Sequence, residues 1–213
     1  MAQEIKTEPL PVPVSSPPSA KMTYEEFLAW ADEDTWAEWV DGEVIYMSPV
    51  SDLHQDLADF LTALLRFFTE TYQLGVIRSA PFQMKIGPKL SGREPDVLFI
   101  SSEHLDRLKK TFLDGPADLV IEIVSPESRA RDRGDKFYEY EQGGVREYWL
   151  LDPLRKQAEF YQLGEDGIYH LATITQDGIY RSVVLKGLEM KVDWLWQEPL
   201  PSLLSVLKEW RLV

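Results

Sequence analysis

Glu122 is the residue of this sequence hardest to explain without chemistry. It lies inside Leu119-Val-Ile-Glu-Ile-Val124, a run apolar on both sides of it. Burying an ionised carboxylate without a partner costs several kcal/mol. A buried ion pair with an arginine or lysine is the plain account. A divalent cation is the sharper one, because its charge offsets the desolvation directly. Asp96 offers a second carboxylate. It opens Asp96-Val-Leu-Phe-Ile100 just after Pro95, where proline is tolerated because the first residue of a strand need not donate to the ladder. Alone it reads as a turn cap, but two carboxylates from two strands are a common way to hold magnesium beside a phosphate. Lys136 is the third candidate. Asp132, Lys136 and Tyr140 recur at i, i+4 and i+8, one stripe of a helix. The plain reading is a surface Asp132–Lys136 pair worth a few tenths of a kcal/mol. That reading weakens because Ser125-Pro126 ends the strand and a short arginine-rich loop brings this helix straight back beside it.

These side chains need elements to carry them. Thr23-Tyr-Glu-Glu26 is a capping box that starts a short helix bearing Phe27, Leu28 and Trp30. Two extended runs around Asp41-Gly42 predict a hairpin. Ser51 then caps a longer helix, with Leu53, Leu57, Phe60, Leu61, Leu64 and Phe68 at helical spacing, ending near Gly75. Strands are expected over 76–79, 82–86 and 97–100, and the almost continuously apolar 118–124 reads as a central strand buried on both faces. A polar helix over 132–142 stops at Gly143-Gly144, and 147–151 is another apolar strand, stopped by Asp152-Pro153. Two or three antiparallel strands and a short helix over 202–210 complete the chain. Residues 1–21 read as a disordered leader, with Pro9, Pro11, Pro13, Pro17 and Pro18 among Ser15, Ser16 and Ser19. The rest, 22–213, reads as one mixed α/β domain.

Composition narrows the classes. No cysteine among 213 residues excludes disulfides, thiolate metal sites and cysteine nucleophiles, and three histidines exclude a histidine-rich cage. No run approaches the roughly 18 apolar residues of a membrane span, and no secretory signal is legible, so a cytoplasmic chain is expected. A net charge of −14 argues against coating nucleic acid. Its distribution softens that. Residues 23–59 hold 11 Asp or Glu and no Lys or Arg, whereas 78–136 hold 11 basic and 10 acidic residues. Weak, cation-dependent DNA binding is the expectation.

Glu94-Pro-Asp96, Glu122-Ile-Val-Ser-Pro126, the Asp132, Lys136, Tyr140 stripe and Gly144-Val-Arg-Glu-Tyr-Trp149 to Asp152-Pro153 resemble the Uma family, described as restriction endonucleases of the PD-(D/E)XK nuclease superfamily. Val40-Asp-Gly-Glu43, Met47-Ser-Pro49 and His54 extend the resemblance over nearly all the chain beyond the leader. It implies a restriction endonuclease-like mixed central sheet flanked by helices, with the divalent metal at the sheet's edge. Asp96 and Glu122 would be metal ligands, Glu43 the early acidic position that completes such a site, and the main-chain carbonyl of Ile123 a further ligand. Val124 departs from the superfamily pattern, since strand alternation puts it where the lysine normally stands. The Uma-type pattern supplies that lysine from the helix, here Lys136. The resemblance implies phosphodiester hydrolysis with Mg²⁺ or Mn²⁺, in which Lys136 orients or helps deprotonate the attacking water and offsets transition-state charge. Arg93, Arg129, Arg131 and Arg133 would contact DNA phosphates. Tyr140, Gln142 and His54 would support the site from behind, His54 in a helix-packing or structural role rather than a catalytic one. Tyr148 and Trp149 are expected in the core.

A competing class is a nuclease fold kept for binding or homodimeric assembly, with Trp194, Trp196 and Trp210 either a contact or part of the core. Action on a small phosphorylated substrate is a third.

Overall fold

The computed structural model describes residues 21–32 and 35–213. The expected leader therefore lies, apart from Lys21, outside the described residues. The capping box forms as written: Thr23 Oγ1 accepts from the Glu26 N–H at 3.2 Å, Glu26 Oε2 accepts from the Thr23 N–H at 2.7 Å, and α1 (Tyr24–Trp30) follows. Asp41 and Gly42 both take positive φ, 50° and 89°, as the tight turn between β1 (Ala37–Val40) and β2 (Glu43–Tyr46) requires. Ser51 caps α2 (Asp52–Thr71), whose Leu57, Leu61, Leu64 and Phe68 form a buried stripe.

Eight further strands lead to the C-terminal extension: β3 (Gly75–Ser79), β4 (Gln83–Lys85), β5 (Gly92–Arg93), β6 (Val97–Ser101), β7 (Phe112–Asp114), β8 (Leu119–Ile123), β9 (Glu147–Asp152) and β10 (Gln157–Leu163). With β11 (Tyr169–Leu171) they make two mixed sheets. The larger runs β11-β10-β9-β8-β6-β3, parallel only between β8 and β9. The smaller runs β2-β1-β5-β4-β7, so the N-terminal hairpin joins the strands that precede Asp96. Gly92 makes that joint possible, because a Cβ there would stand 2.3 Å from the Tyr24 ring.

Alternation along β8 divides the core. Leu119, Ile121 and Ile123 face α2 with Trp149 and Leu151, whereas Val120 and Val124 face the other side with Leu150, Met84 and Tyr140. Glu122 shares that second face. The expected helix over 132–142 is two pieces, α3 (Arg129–Arg133) and α4 (Asp135–Gly143), broken at Gly134, whose φ −117° and ψ −91° are not helical. The i, i+4 neighbours survive the break, with Lys136 Nζ 3.7 Å from Asp132 Oδ1.

The C-terminal hairpin β12 (Ile179–Arg181) and β13 (Glu189–Lys191) is tied to the large sheet by Glu147. This buried carboxylate accepts from Trp149 Nε1 and the Tyr180 hydroxyl, both at 2.6 Å, and from Ser182, Val183 and Val184. Trp194 and Trp210 meet at 5.8 Å and pack with Trp196 on the core under α2 and α5 (Leu203–Glu209). Those tryptophans are core-forming residues.

Candidate active site

Asp96 stands at the mouth of β6 and Glu122 near the end of its antiparallel neighbour β8, so two strand ends present both carboxylates to one cleft of about 570 Å³. Asp96 is held from two sides. Its Oδ2 accepts from the Ile123 N–H at 2.6 Å, and its Oδ1 meets His54 Nε2 at 3.0 Å. His54 thus joins a helix-packing position to a contact with the Asp96 carboxylate. It shares the buried face of α2 with Leu57 and Ala58 but sits in the first turn, which carries it past the apolar stripe to the sheet's edge. The Val124 N–H goes to Leu151 on β9. Strand alternation then aims the Ile123 carbonyl at the other edge, opposite Pro95, which has no N–H to give.

Glu122 meets α4. Lys136 Nζ lies 2.9 Å from Glu122 Oε1, and the Tyr140 hydroxyl donates to the same oxygen at 2.6 Å. Lys136 is 1% exposed, so it is no surface salt-bridge residue. Its ammonium also lies 3.0 Å from Oε1 of Glu38, a residue of β1 that the sequence did not single out. Glu38 is fully buried. Arg93 braces it from behind, with Nη1 to Glu38 Oε2 at 3.0 Å and a two-pronged grip on Glu139 at 2.7 and 3.0 Å. The hairpin carboxylate that meets Lys136 is therefore Glu38 and not Glu43. Glu43 begins β2 with 64% of its side chain exposed, 4.0 Å from Lys21, and does not line the cleft. Alternation decides this: with β1 laid on β5 by the Trp39–Gly92 pairing, Glu38 turns inward.

The cluster is electrostatically coupled. Burial alone would raise the carboxyl of Glu38, but Lys136, Arg93 and Arg131 outweigh it and hold it at about 2. Burial pushes Glu122 up to about 8 against the pull of Lys136, with Asp132, Asp96 and Glu38 adding to the rise. Burial also raises Asp132, and pushes Glu94 up to about 7 against its Gln83 hydrogen bond. Lys136 goes the other way. Burial opposes its charge, but Glu122, Glu38 and Asp132 hold its pKa well above the ordinary lysine value. The two partners thus ask for different things, since Lys136 is stabilised by an ionised Glu122 that burial disfavours. Lys136 keeps its proton either way, because Glu38 remains ionised beside it, while burial leaves Glu122 easier to protonate than an exposed carboxylate.

The donor set is hard oxygen: Asp96, Glu122 and the Ile123 carbonyl, with Glu94 Oε2 buried, unpartnered and also lining the cleft. Each carboxylate oxygen carries two acceptor sites, so Asp96 and Glu122 retain capacity despite their present bonds. Such a set suits Mg²⁺ or Mn²⁺, which keep several waters, better than zinc. Among the described residues no three His, Asp or Glu side chains are gathered as a ready-made cage. Two carboxylates and a carbonyl could hold a cation there only with water completing its shell.

The remaining expected residues separate. Tyr140 is in place, and Tyr148 and Trp149 are fully buried. Gln142 is exposed and donates to Tyr138, away from the cleft. Of the four arginines only Arg131 lines the cleft. Arg93 is 1% exposed and engaged with Glu38 and Glu139, so it cannot reach a phosphate. Arg129 pairs with Asp152 at 3.0 Å and Arg133 with Glu159 at 2.5 Å.

The fold has solved counterparts. The crystal structure of a protein from Anabaena variabilis, titled a "putative nuclease belonging to DUF820", superposes with TM-score 0.67 over 82% of this chain and 97% of that one, at 14% identity. The protein slr1290 of Synechocystis, named only as uncharacterized, is 28% identical over 156 residues, covering 71% of this chain and 80% of its own. The family model Uma2, described as "Putative restriction endonuclease", matches residues 24–193, which span every side chain of the cluster. This chain belongs to the Uma2 family.

Proposed function

We propose that the chain is a divalent-metal-dependent endonuclease that hydrolyses phosphodiester bonds in DNA. The observation that carries this reading is the buried ammonium of Lys136, bonded to Glu122 and Glu38 at 2.9 and 3.0 Å beside the Asp96 cleft. It supplies from a helix the cation that Val124 cannot supply from the strand.

Asp96, Glu122 and the Ile123 carbonyl would hold Mg²⁺ or Mn²⁺, which when bound polarises a phosphate and acidifies a coordinated water. The protein's own part is positional. His54 and the Ile123 N–H fix both oxygens of Asp96. Tyr140 and Lys136 fix Oε1 of Glu122. Because Lys136 holds its proton so firmly, its role is to orient water and place positive charge near the transition state, not to abstract a proton. Arg131 at the rim adds a phosphate contact. In the net reaction the water oxygen bonds to phosphorus, one P–O ester bond breaks, and the proton passes to the departing alkoxide.

The competing reading, a nuclease fold kept for binding, draws on the same geometry. Lys136 faces Glu38, Glu122 and Asp132 at once, as a purely structural keystone would. The test is Mg²⁺- and Mn²⁺-dependent cleavage of several DNA forms by the wild type, Glu122→Ala and Lys136→Ala. Loss of activity in both variants is expected. Equal activity in all three removes the site assignment, and no cleavage together with no metal binding by calorimetry favours the binding module.

A further inference from the structure

The cleft has aromatic walls and few cations. Trp36, which leads into β1, and Tyr46, which ends β2, both line it, and so does Leu154 in the turn after β9. Trp36 is 37% and Tyr46 54% exposed, so neither is consumed by the core. The Tyr46 ring is braced edge-on by Trp30 at 6.4 Å. A second hollow of about 390 Å³ adjoins the first, and Trp36, His54 and Asp96 line both. The indole therefore borders space on each side of the Asp96–His54 pair. Both volumes lie within the roughly 300–1,000 Å³ of sites that enclose a small ligand.

Charge decides what such a cleft can hold. Five carboxylates line the larger hollow against Arg131 and Lys136, and the smaller has Asp59 and Asp96 with no lysine or arginine. Duplex DNA presents one phosphate charge per about 1.7 Å of its axis and calls for a row of cations. The described residues that line the cleft offer no such row. An unpaired strand carries phosphates at lower charge density, and its free bases can stack on an aromatic ring, which adds affinity in any sequence that a duplex with its bases paired inside cannot gain.

Resting on the nuclease reading above, we propose that the substrate is an unpaired stretch of DNA whose bases, flanking the scissile phosphate, stack on Trp36 and Tyr46. The aromatic pair grips the bases, the floor receives one phosphate, and a duplex is excluded until it is opened.

Fluorescence anisotropy of the full chain in Ca²⁺, with one labelled oligonucleotide as single strand, as duplex, and as single strand with a central abasic gap, tests this. The single strand should bind more tightly than the duplex and lose affinity with the gap. Trp36→Ala and Tyr46→Ala should each weaken single-strand binding roughly tenfold, and Trp36→Phe should restore most of it, with unfolding midpoints unchanged. Duplex binding as tight as single-strand binding, or alanine variants that bind like the wild type, overturns the proposal. Cleavage in Mn²⁺ run beside it separates the two readings. If the wild type cuts both forms alike, the nuclease reading stands and the stacking site falls. If it cuts neither yet binds the single strand through Trp36 and Tyr46, the stacking site stands and the nuclease reading falls.

Discussion

Replacing Lys136 with methionine, which nearly preserves volume, removes the charge at the centre of the cluster. Glu38 keeps a cation, since Arg93 still lies 3.0 Å from it. Glu122 and Asp132 lose theirs, at 2.9 and 3.7 Å. Removing one partner of a buried ion pair costs about 3–5 kcal/mol, because the other charge is left uncompensated. With a urea slope near 2 kcal/mol/M, the unfolding midpoint should fall by about 2 M. The second half of the cycle makes this specific. Lys136→Met combined with Glu122→Gln no longer buries an orphaned carboxylate and should recover about 2 kcal/mol, while remaining inactive. Urea unfolding at pH 8, followed by far-UV circular dichroism, reads both numbers. A Lys136→Met protein within about 1 kcal/mol of the wild type, or a double variant less stable than the single one, refutes the account of Lys136 as the compensating charge of this cluster.

The arginines should divide by depth. Arg131→Ala should cost about 1 kcal/mol, since Arg93 still holds Glu38, weaken DNA binding, and lower the salt slope of log K by about 1. Arg93→Met should instead destabilise by about 3 kcal/mol and leave that slope alone, so titrations at several salt concentrations distinguish a phosphate contact from a brace. The low pKa of Glu38 sets a pH dependence. Its folded value of about 2 lies below the ordinary 4.5, so its stabilisation is complete above 4.5 and is lost as pH falls toward 2. The shift corresponds to about 3 kcal/mol. Thermal unfolding of the wild type and Glu38→Gln between pH 2 and 6 should converge as pH falls, and parallel curves contradict the reading.

How much was legible depended on whether a residue's surroundings are local. Glu122 betrays itself by the apolar run around it, and Asp96 by the proline before its strand. The Asp132, Lys136, Tyr140 stripe gives away its register, although Gly134 breaks the helix between the first two. Glu38 gave no such sign. It sits in the alternating Trp36-Ala-Glu-Trp-Val-Asp41, where a carboxylate ordinarily faces water. Only the fold turns the side chain of Arg93, in the two-residue β5, onto Glu38 and seals both from solvent. His54 did carry a sign, as a polar residue on the apolar face of α2 one turn ahead of Leu57 and Ala58. The misassigned residues fail for the same reason. Glu43 and Arg93 are each of the right chemical type, but one faces solvent and the other is sealed behind Glu38.

Capping, periodicity and burial of an apolar run act over a few residues, so the elements, the class of fold and the three residues proposed to carry the chemistry were legible along the chain. Tertiary structure alone decided which carboxylate of the hairpin joins Lys136, which arginine reaches the cleft, and that two exposed aromatics border it. Those outcomes depend on pairing β1 with β5 and on laying α4 against β8, contacts between segments about 50 and 14 residues apart. Coulomb energy and desolvation follow distance in space, and no spacing along the chain encodes that distance.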